Sequence, residues 1–240
     1  MMRTLDIRYP RSWAEVTPQQ LLVIARTLSR SRGTRDEVLL RLLLALSGIR
    51  IPLGGRLRED IAEVRYRGHW YHVPVQTLLQ ASRELGWILD TNGLTACPLK
   101  GISPKLYDTK FEDYFAMDAN MMRYSAGQAQ DHRLAAQAAR CLTHRRERMD
   151  GTRALAMLIW YNGMKHWLAE RYPNVFEKGG GEPSGTMADV LSAMLSALNQ
   201  DRPQDNDAIL ESETHAVLRA LENIQLRYKS YEKYAKQGIR

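Results

Sequence analysis

The chain contains little cysteine and no long apolar run. Cys97 and Cys141 are its only cysteines among 240 residues. They stand far apart without a CxxC or paired Cys/His spacing, which argues against a disulfide framework and a zinc site and makes a reducing cytoplasm the expected compartment. No window approaches the roughly 20 consecutive apolar residues of a membrane span, and the first residues lack the apolar segment of a secretory signal. The sequence therefore predicts a cytoplasmic protein with no membrane partner.

Catalytic and metal-binding motifs are also missing. Neither the residue order of a P-loop nor a GxSxG nucleophile elbow occurs. His69 and His72 lie three apart in a predicted strand, so their side chains point to opposite faces and are badly placed to share a metal. Glu211 and His215 lie four apart on one face of a predicted helix and could hold a metal with help from elsewhere, but no second matching motif exists, so a solvated ion pair is the expected role. We therefore expect a protein with no catalytic residues, no metal and no cofactor.

Basic residues, by contrast, are in excess. The chain has 34 Lys and Arg against 27 Asp and Glu, a formal net charge of +7. Such an excess permits nucleic acid, an acidic protein surface or an anionic membrane as partner and does not select among them. One cluster is a candidate for anion or nucleic-acid contact, with a solvated face as the alternative; it contains Arg140, Arg145, Arg146, Arg148 and Arg153. Smaller basic groups lie at residues 26–35 and 227–240.

Local signals predict a mainly α fold, a multi-helix bundle with one small β-hairpin. Thr17 with Gln20, and Thr34 with Glu37, form two capping boxes that start consecutive helices. Gly48 ends the second helix. The β-branched and aromatic residues of segment 61–75 indicate a hairpin that turns at 67–68, and segment 3–9 is a candidate for an N-terminal strand.

Helical periodicity covers most of the remaining chain. Helices are predicted over 74–90, from 109 to 124, over 130–143, over 187–198 and over about 207–236, with a loop at 91–108. Residues 154–171 are apolar nearly all round, which predicts a buried central helix. Glycines at 179–181 indicate a linker over 177–186. We therefore expect a helical core domain at 1–176 and a C-terminal helical pair at 187–240, packed on the core or on a partner.

Three tyrosines distinguish the last predicted helix. Tyr228, Tyr231 and Tyr234 follow one another at intervals of three residues within "LRYKSYEKYAK". At that spacing they form a stripe along the helix. We predict that this stripe docks on another chain or on the protein's own body.

Several longer segments occur in a recognisable order. They are "SWAEVTPQQLL" near the start, "FEDYFAMDANMMRY" in the middle, and "LAMLIWYNGMKHWLAERYPNVF" followed by a glycine-rich break and "MADVLSAML". With these segments the chain resembles a helical protein family encoded in the tail-morphogenesis region of tailed phages and prophages of the Bacteroides group. The resemblance covers most of the chain. It departs after the alanine-rich helix, where "RCLTHRRERMDG" stands in place of the tyrosine-arginine pair and the more acidic loop that the resemblance leads us to expect.

The resemblance implies a non-enzymatic role in phage tail morphogenesis within the host cytoplasm. An assembly chaperone or adaptor that binds a helical partner, such as the tape-measure protein, is the expected form, and self-association is compatible with it. A basic nucleic-acid-binding accessory protein and a connector or tail subunit of the virion are the alternatives. The positions that match the family are structural: Trp13, Thr17, Gln20, Phe111, Tyr114, Asp118, Trp160, Tyr161, Asn162, Gly163, Pro173 and Phe176.

Overall fold

The computed structural model describes residues 7–52, 60–90, 93–127, 132–176, 187–200 and 202–237. Within these ranges it contains nine α-helices and one two-stranded hairpin, and the structure is 66% helical. The predicted mainly α fold is thus confirmed. None of the helices in the described ranges is long and apolar enough to cross a membrane. Two compact units are present, formed by residues 1–98 with 150–163 and by residues 99–149 with 164–240.

The first unit begins with a pair of helices, α1 (Pro18–Arg30) and α2 (Arg35–Ser47). Both start at the predicted capping boxes. The Thr17 side chain accepts a hydrogen bond from the backbone N–H of Gln20, while the Gln20 side chain accepts one from Thr17. Thr34 and Glu37 repeat the arrangement. Gly48 ends α2 at φ 76°, the left-handed conformation that glycine adopts without strain.

The hairpin of this unit consists of β1 (Ile61–Tyr66) and β2 (His69–Pro74), in antiparallel register with Val64 opposite Tyr71. Arg67 and Gly68 both have positive φ, as a tight type I′ turn requires. The inner face packs in a cluster of buried side chains: Ile49, Ala62, Val64, Tyr66, Val73 and Leu78. Residues 7–9 do not form a strand. The rest of the predicted strand 3–9 lies outside the described residues.

Helix α3 (Val75–Arg83) is shorter than the predicted helix at 74–90, because a 3-10 helix (Glu84–Leu89) replaces its second half. Gly86 disfavours a regular α-helix there. The tighter winding also places residues three apart on the same side. Leu85 and Ile88 have that spacing, and both are buried.

The apolar helix of the sequence is α6 (Gly151–Arg171). Helices α4 and α5 precede it in the chain and belong to the second unit. The residues of α6 as far as Gly163 count with the first unit and the rest with the second. Trp160, Met157 and Met164 are fully buried, so the predicted burial is confirmed. In the first unit Gly163 lies against backbone, since a Cβ there would come 2.5 Å from the carbonyl oxygen of Gly93. A side chain at this position would not fit.

The second unit contains α4 (Phe111–Ser125), α5 (His132–Thr143), α7 (Met187–Asn199), α8 (Asn206–Glu211) and α9 (Thr214–Gln237). Helices α4 and α5 pack against each other, and α8 and α9 both contact α4 and α7. The predicted linker at 177–186 lies outside the described residues. The domain boundary predicted there therefore stays a prediction.

Two predicted helix limits in this unit are wrong for one reason. The N–H of Phe111 donates to the Ser212 carbonyl, and the N–H of Thr214 donates to the Thr109 carbonyl, both at 2.8 Å. This short antiparallel bridge requires extended backbone in both segments. Helix α4 consequently begins at Phe111 rather than Thr109, and the single helix predicted over 207–236 is divided into α8 and α9.

Candidate functional site

The distal part of α9 carries exposed side chains only. Every side chain from Leu226 to Ala235 is classed as exposed, whereas Val217, Leu218 and Leu221 nearer the start of the helix are buried. The predicted tyrosines lie in this part: Tyr228 is 61% exposed, Tyr231 68% and Tyr234 70%. We call residues 226–235 the distal segment. It extends past the side chains that hold α9 in the second unit.

The direction of the tyrosines follows from the contact made by Lys229. Its ammonium group donates to the side-chain oxygen of Asn174 at 2.9 Å, so this side of α9 faces the second unit's own surface. Tyr231 lies about 160° and Tyr234 about 140° from Lys229 around the helix axis. These two rings therefore point away from that surface. The predicted stripe is presented to the outside, not packed on the second unit.

The distal segment is also basic. It contains three basic residues against one acidic residue, Glu232, and two more basic residues follow at 236 and 240. Two of the cations in the described part, Arg227 and Lys233, are exposed. The segment thus combines large aromatic surfaces with positive charge.

Glu222 attaches α9 to the turn that follows α6. Its carboxylate accepts hydrogen bonds from the backbone N–H groups of Asn174 at 2.9 Å and Val175 at 3.1 Å, and also from the Asn174 side-chain amide. Charged acceptors make stronger hydrogen bonds than neutral ones. This contact lies one helical turn before the distal segment and sets the position from which the segment projects.

His215 attaches the start of α9 and is buried. Its Nε2 lies 2.7 Å from the carbonyl oxygen of Lys105, and its Nδ1 lies 2.8 Å from the Tyr172 hydroxyl. A carbonyl only accepts, so Nε2 carries the proton and Nδ1 accepts from the Tyr172 O–H. The rings of Tyr107 and Trp167 cover the imidazole. Burial lowers the pKa of His215, and the positive charges of Arg171 and Arg219 act in the same direction.

The predicted solvated ion pair between Glu211 and His215 is therefore wrong. Glu211 ends α8, and residues 212–213 adopt extended backbone before His215 enters α9. A spacing of four places two side chains on one face only when the helix between them is continuous. His215 bonds instead to residues more than forty positions away.

The predicted arginine cluster is divided between the two units. Arg140 in the last turn of α5 and Arg145, Arg146 and Arg148 in the following loop belong to the second unit, and all four are exposed. Arg153 belongs to the first unit and lies in the first turn of α6, where its N–H donates to the Asp150 carboxylate at 2.8 Å.

A further arginine was missed by the sequence analysis. Arg133 lies seven residues before Arg140, two helical turns along the same exposed face of α5. The opposite face of α5 is buried and consists of Ala135, Ala138, Ala139 and Leu142. We call the second-unit set the arginine ridge, comprising Arg133, Arg140, Arg145, Arg146 and Arg148. The signal in the sequence was the spacing of seven residues between Arg133 and Arg140, with alanines between them that fall on the opposite face of a helix.

A cleft adjoins Arg140. It has a volume of about 450 Å³ and is lined by Asn120, Gln137, Arg140, Cys141 and His144. His144 adopts a left-handed backbone at φ 53°, and its Nε2 lies 3.1 Å from the Asp113 carboxylate. The cleft therefore presents a guanidinium and two side-chain amides to a ligand.

The surroundings of Cys141 at this cleft do not favour a nucleophilic thiolate. Burial raises the pKa of the Cys141 thiol, and the negative charge of Asp113 raises it further. Burial likewise raises the pKa of Asp113, an effect that His144 opposes. A thiol whose pKa is raised is a poor nucleophile at neutral pH. Among the described residues, no group of three His, Cys, Asp or Glu side chains could hold a metal ion.

One partly buried ion pair was also missed. Lys165 in the part of α6 that belongs to the second unit places its Nζ 3.0 Å from the carboxylate of Asp118, whose side chain is almost completely buried. The same amine lies 5.0 Å from the Phe176 ring centre. The signal available in the sequence was Asp118, a charged residue among the methionines and aromatic residues of α4, which needs a partner when it is buried. The pair joins two helices and does not line the cleft described above.

Comparisons with protein-family models, with curated proteins and with solved structures find no match to the chain. The resemblance to tail-morphogenesis proteins therefore stays a prediction.

Proposed function

We propose that this protein is a non-enzymatic binding protein that holds a helical, acidic partner on the distal segment of α9. The observation that carries the proposal is the exposed stripe of Tyr228, Tyr231 and Tyr234 on a basic helix that extends past its own core. The resemblance described above supports a role in phage tail morphogenesis, as an assembly chaperone or adaptor. It makes the tape-measure protein of the same phage the candidate partner.

The tyrosines offer a large part of the area that a specific contact needs. A large aromatic side chain buries about 150–250 Å², so three such rings supply a large share of the roughly 800 Å² per partner of a standard interface. Tyrosine is also enriched among the residues that dominate binding energy. A short helical end without tertiary packing is marginal in water. A partner laid along it would stabilise the helix as well as bind it.

Charge decides which kind of partner is favoured. Two distal segments from two copies of this chain would each carry an excess of positive charge, and bringing like charges together across an interface is unfavourable. A groove or helix that carries Asp and Glu would instead meet the lysines and arginine with opposite charge. Electrostatic complementarity of this kind adds specificity and speeds association. The proposed occupant is therefore a different, acidic chain.

Co-expression with the tape-measure protein tests the proposal. The variant Tyr228→Ala, Tyr231→Ala, Tyr234→Ala removes the stripe and raises helix propensity, so its helix remains. We expect co-purification of the partner with the wild-type chain and its loss with the triple variant. The control is Trp70→Ala, which removes an aromatic ring of similar exposure from β2. Equal capture by all three proteins would contradict the proposal.

The same preparation distinguishes a chaperone from a subunit of the virion. A chaperone leaves before the particle is complete, whereas a connector or tail subunit stays. We expect mass spectrometry of purified particles to find the tape-measure protein without this chain. Stoichiometric amounts of this chain in the particles would favour the subunit.

A further inference from the structure

We propose that the arginine ridge of the second unit binds single-stranded nucleic acid, with the phosphate backbone along the ridge and one base in the cleft beside Arg140. The proposal rests on residues of α4, α5 and the loop that follows α5. It is independent of the partner proposed for α9.

The charge of the ridge fits a polyanion. Residues 132–148 contain five arginines and two histidines but only one acidic residue, Glu147. Arg140, Arg145 and Arg146 are exposed, and the planar guanidinium matches a phosphate through two parallel hydrogen bonds. Arg133 and Arg140 are separated by about 10 Å along α5, the rise of about three nucleotides in one strand at roughly 3.4 Å each. A single small anion would meet only part of this length.

The cleft favours a nucleic acid over an acidic peptide. Asn120 and Gln137 line it together with Arg140. Side-chain amides can donate and accept at once, which is the pattern that a base edge presents. The Asn120 amide is held by a hydrogen bond to the Ala116 carbonyl at 2.8 Å. The volume of about 450 Å³ lies within the range of about 300–1,000 Å³ found for ligand sites.

A single strand fits this arrangement better than a duplex. In a duplex the bases are stacked and paired, and only their groove edges can be reached. An unpaired base can turn away from its neighbours and present its whole edge to side-chain amides. A cleft that adjoins a row of phosphate-binding arginines permits this.

Fluorescence anisotropy with the whole 240-residue chain provides the test. The probe is a labelled DNA strand of about 16 nucleotides, the upper site size of a small binding module, and the same sequence as a duplex is the comparison. We expect binding that weakens linearly in log affinity against log salt between about 50 and 200 mM. We also expect tighter binding of the single strand than of the duplex.

The variant Arg140→Gln, Arg145→Gln, Arg146→Gln should lower the salt slope by about 2, because each phosphate contact contributes about 0.7 on a single strand. Its affinity at low salt should fall at least tenfold. The matched control, Arg26→Gln, Arg30→Gln, Arg32→Gln, removes the same charge from exposed positions of the first unit. We expect the control to bind almost as the wild type does.

Three outcomes would overturn the proposal: no binding by the wild-type chain, an equal loss in both arginine variants, or full competition by a polyglutamate peptide of equal charge. The tyrosine triple variant should keep its nucleic-acid affinity while it loses the protein partner. The arginine variant should do the reverse, so failure of one proposal is distinguishable from failure of the other. Unchanged circular dichroism of both variants excludes misfolding as the cause.

Discussion

Replacement of His215 by alanine would remove one buried and one partly buried hydrogen bond at the start of α9. The Tyr172 hydroxyl and the Lys105 carbonyl would each lose their partner, and an unsatisfied buried group costs about 1–3 kcal/mol. The loss of ring contacts with Tyr107 and Trp167 adds about 0.5–1.5 kcal/mol. These ranges sum to about 2.5–7.5 kcal/mol. Because the bond to the Lys105 carbonyl is only partly buried, we expect a decrease in the lower part of that range, about 3–4 kcal/mol, in the free energy of unfolding, against the roughly 5–15 kcal/mol that is typical of a folded domain.

The same histidine makes stability depend on pH with a defined sign. The folded state lowers the pKa of His215 below its ordinary value near 6.5. The unfolded chain therefore binds a proton more readily than the folded chain does. The contribution of His215 is fully present above a pH of about 6.5 and decreases as the pH falls from there toward the folded-state pKa. The His215→Ala variant should lack this decrease.

Urea denaturation at pH 8 and at lower pH measures both effects, through the transition midpoint and the slope. The control is His166→Ala, which removes an exposed histidine of α6 that pairs with Glu170; an exposed pair of this kind contributes about 0.5 kcal/mol. If His215→Ala costs no more than His166→Ala, or if it keeps the wild-type dependence on pH, the role assigned to His215 is refuted.

Three further predictions follow from the contacts described above. Gly163→Ala should lower the free energy of unfolding by about 1–3 kcal/mol, because the new Cβ would strike the Gly93 carbonyl. Helix propensity alone would give the opposite sign, so a lower midpoint of thermal unfolding in the variant would support the clash and a higher one would contradict it. Thr34→Ala should cost about 1 kcal/mol through loss of the α2 cap, and Thr34→Ser should restore most of it in the same assay. Glu222→Ala should leave the Asn174 and Val175 N–H groups without their acceptor, so hydrogen exchange at these two amides should become faster while that of α1 stays unchanged.

The parts of the fold that were predicted correctly depend on short-range interactions. Each capping box joins residues only three positions apart, and the hairpin turn is determined by Arg67 and Gly68 themselves. The sequence contains the complete information for such features. The burial of α6 follows from its composition, because an apolar helix has no polar side to expose.

The errors arise where distant segments meet. The break between α8 and α9 depends on hydrogen bonds from residues 212–214 to residues 109–111, about a hundred positions earlier. The burial of His215 depends on Lys105 and Tyr172 in the same way. Periodicity within one helix contains no information about such contacts. The exposure of Tyr228, Tyr231 and Tyr234 agrees with a docking role, yet exposure alone does not identify what docks.

Hydrogen exchange of the distal segment tests the central claim most directly. It would be measured for the protein alone and for the complex purified after co-expression with the tape-measure protein. The account predicts fast exchange of the amides at 226–235 in the free protein, because every side chain of this helical end is exposed, and strong protection in the complex. Protection elsewhere in the complex with unchanged exchange at 226–235 would contradict it.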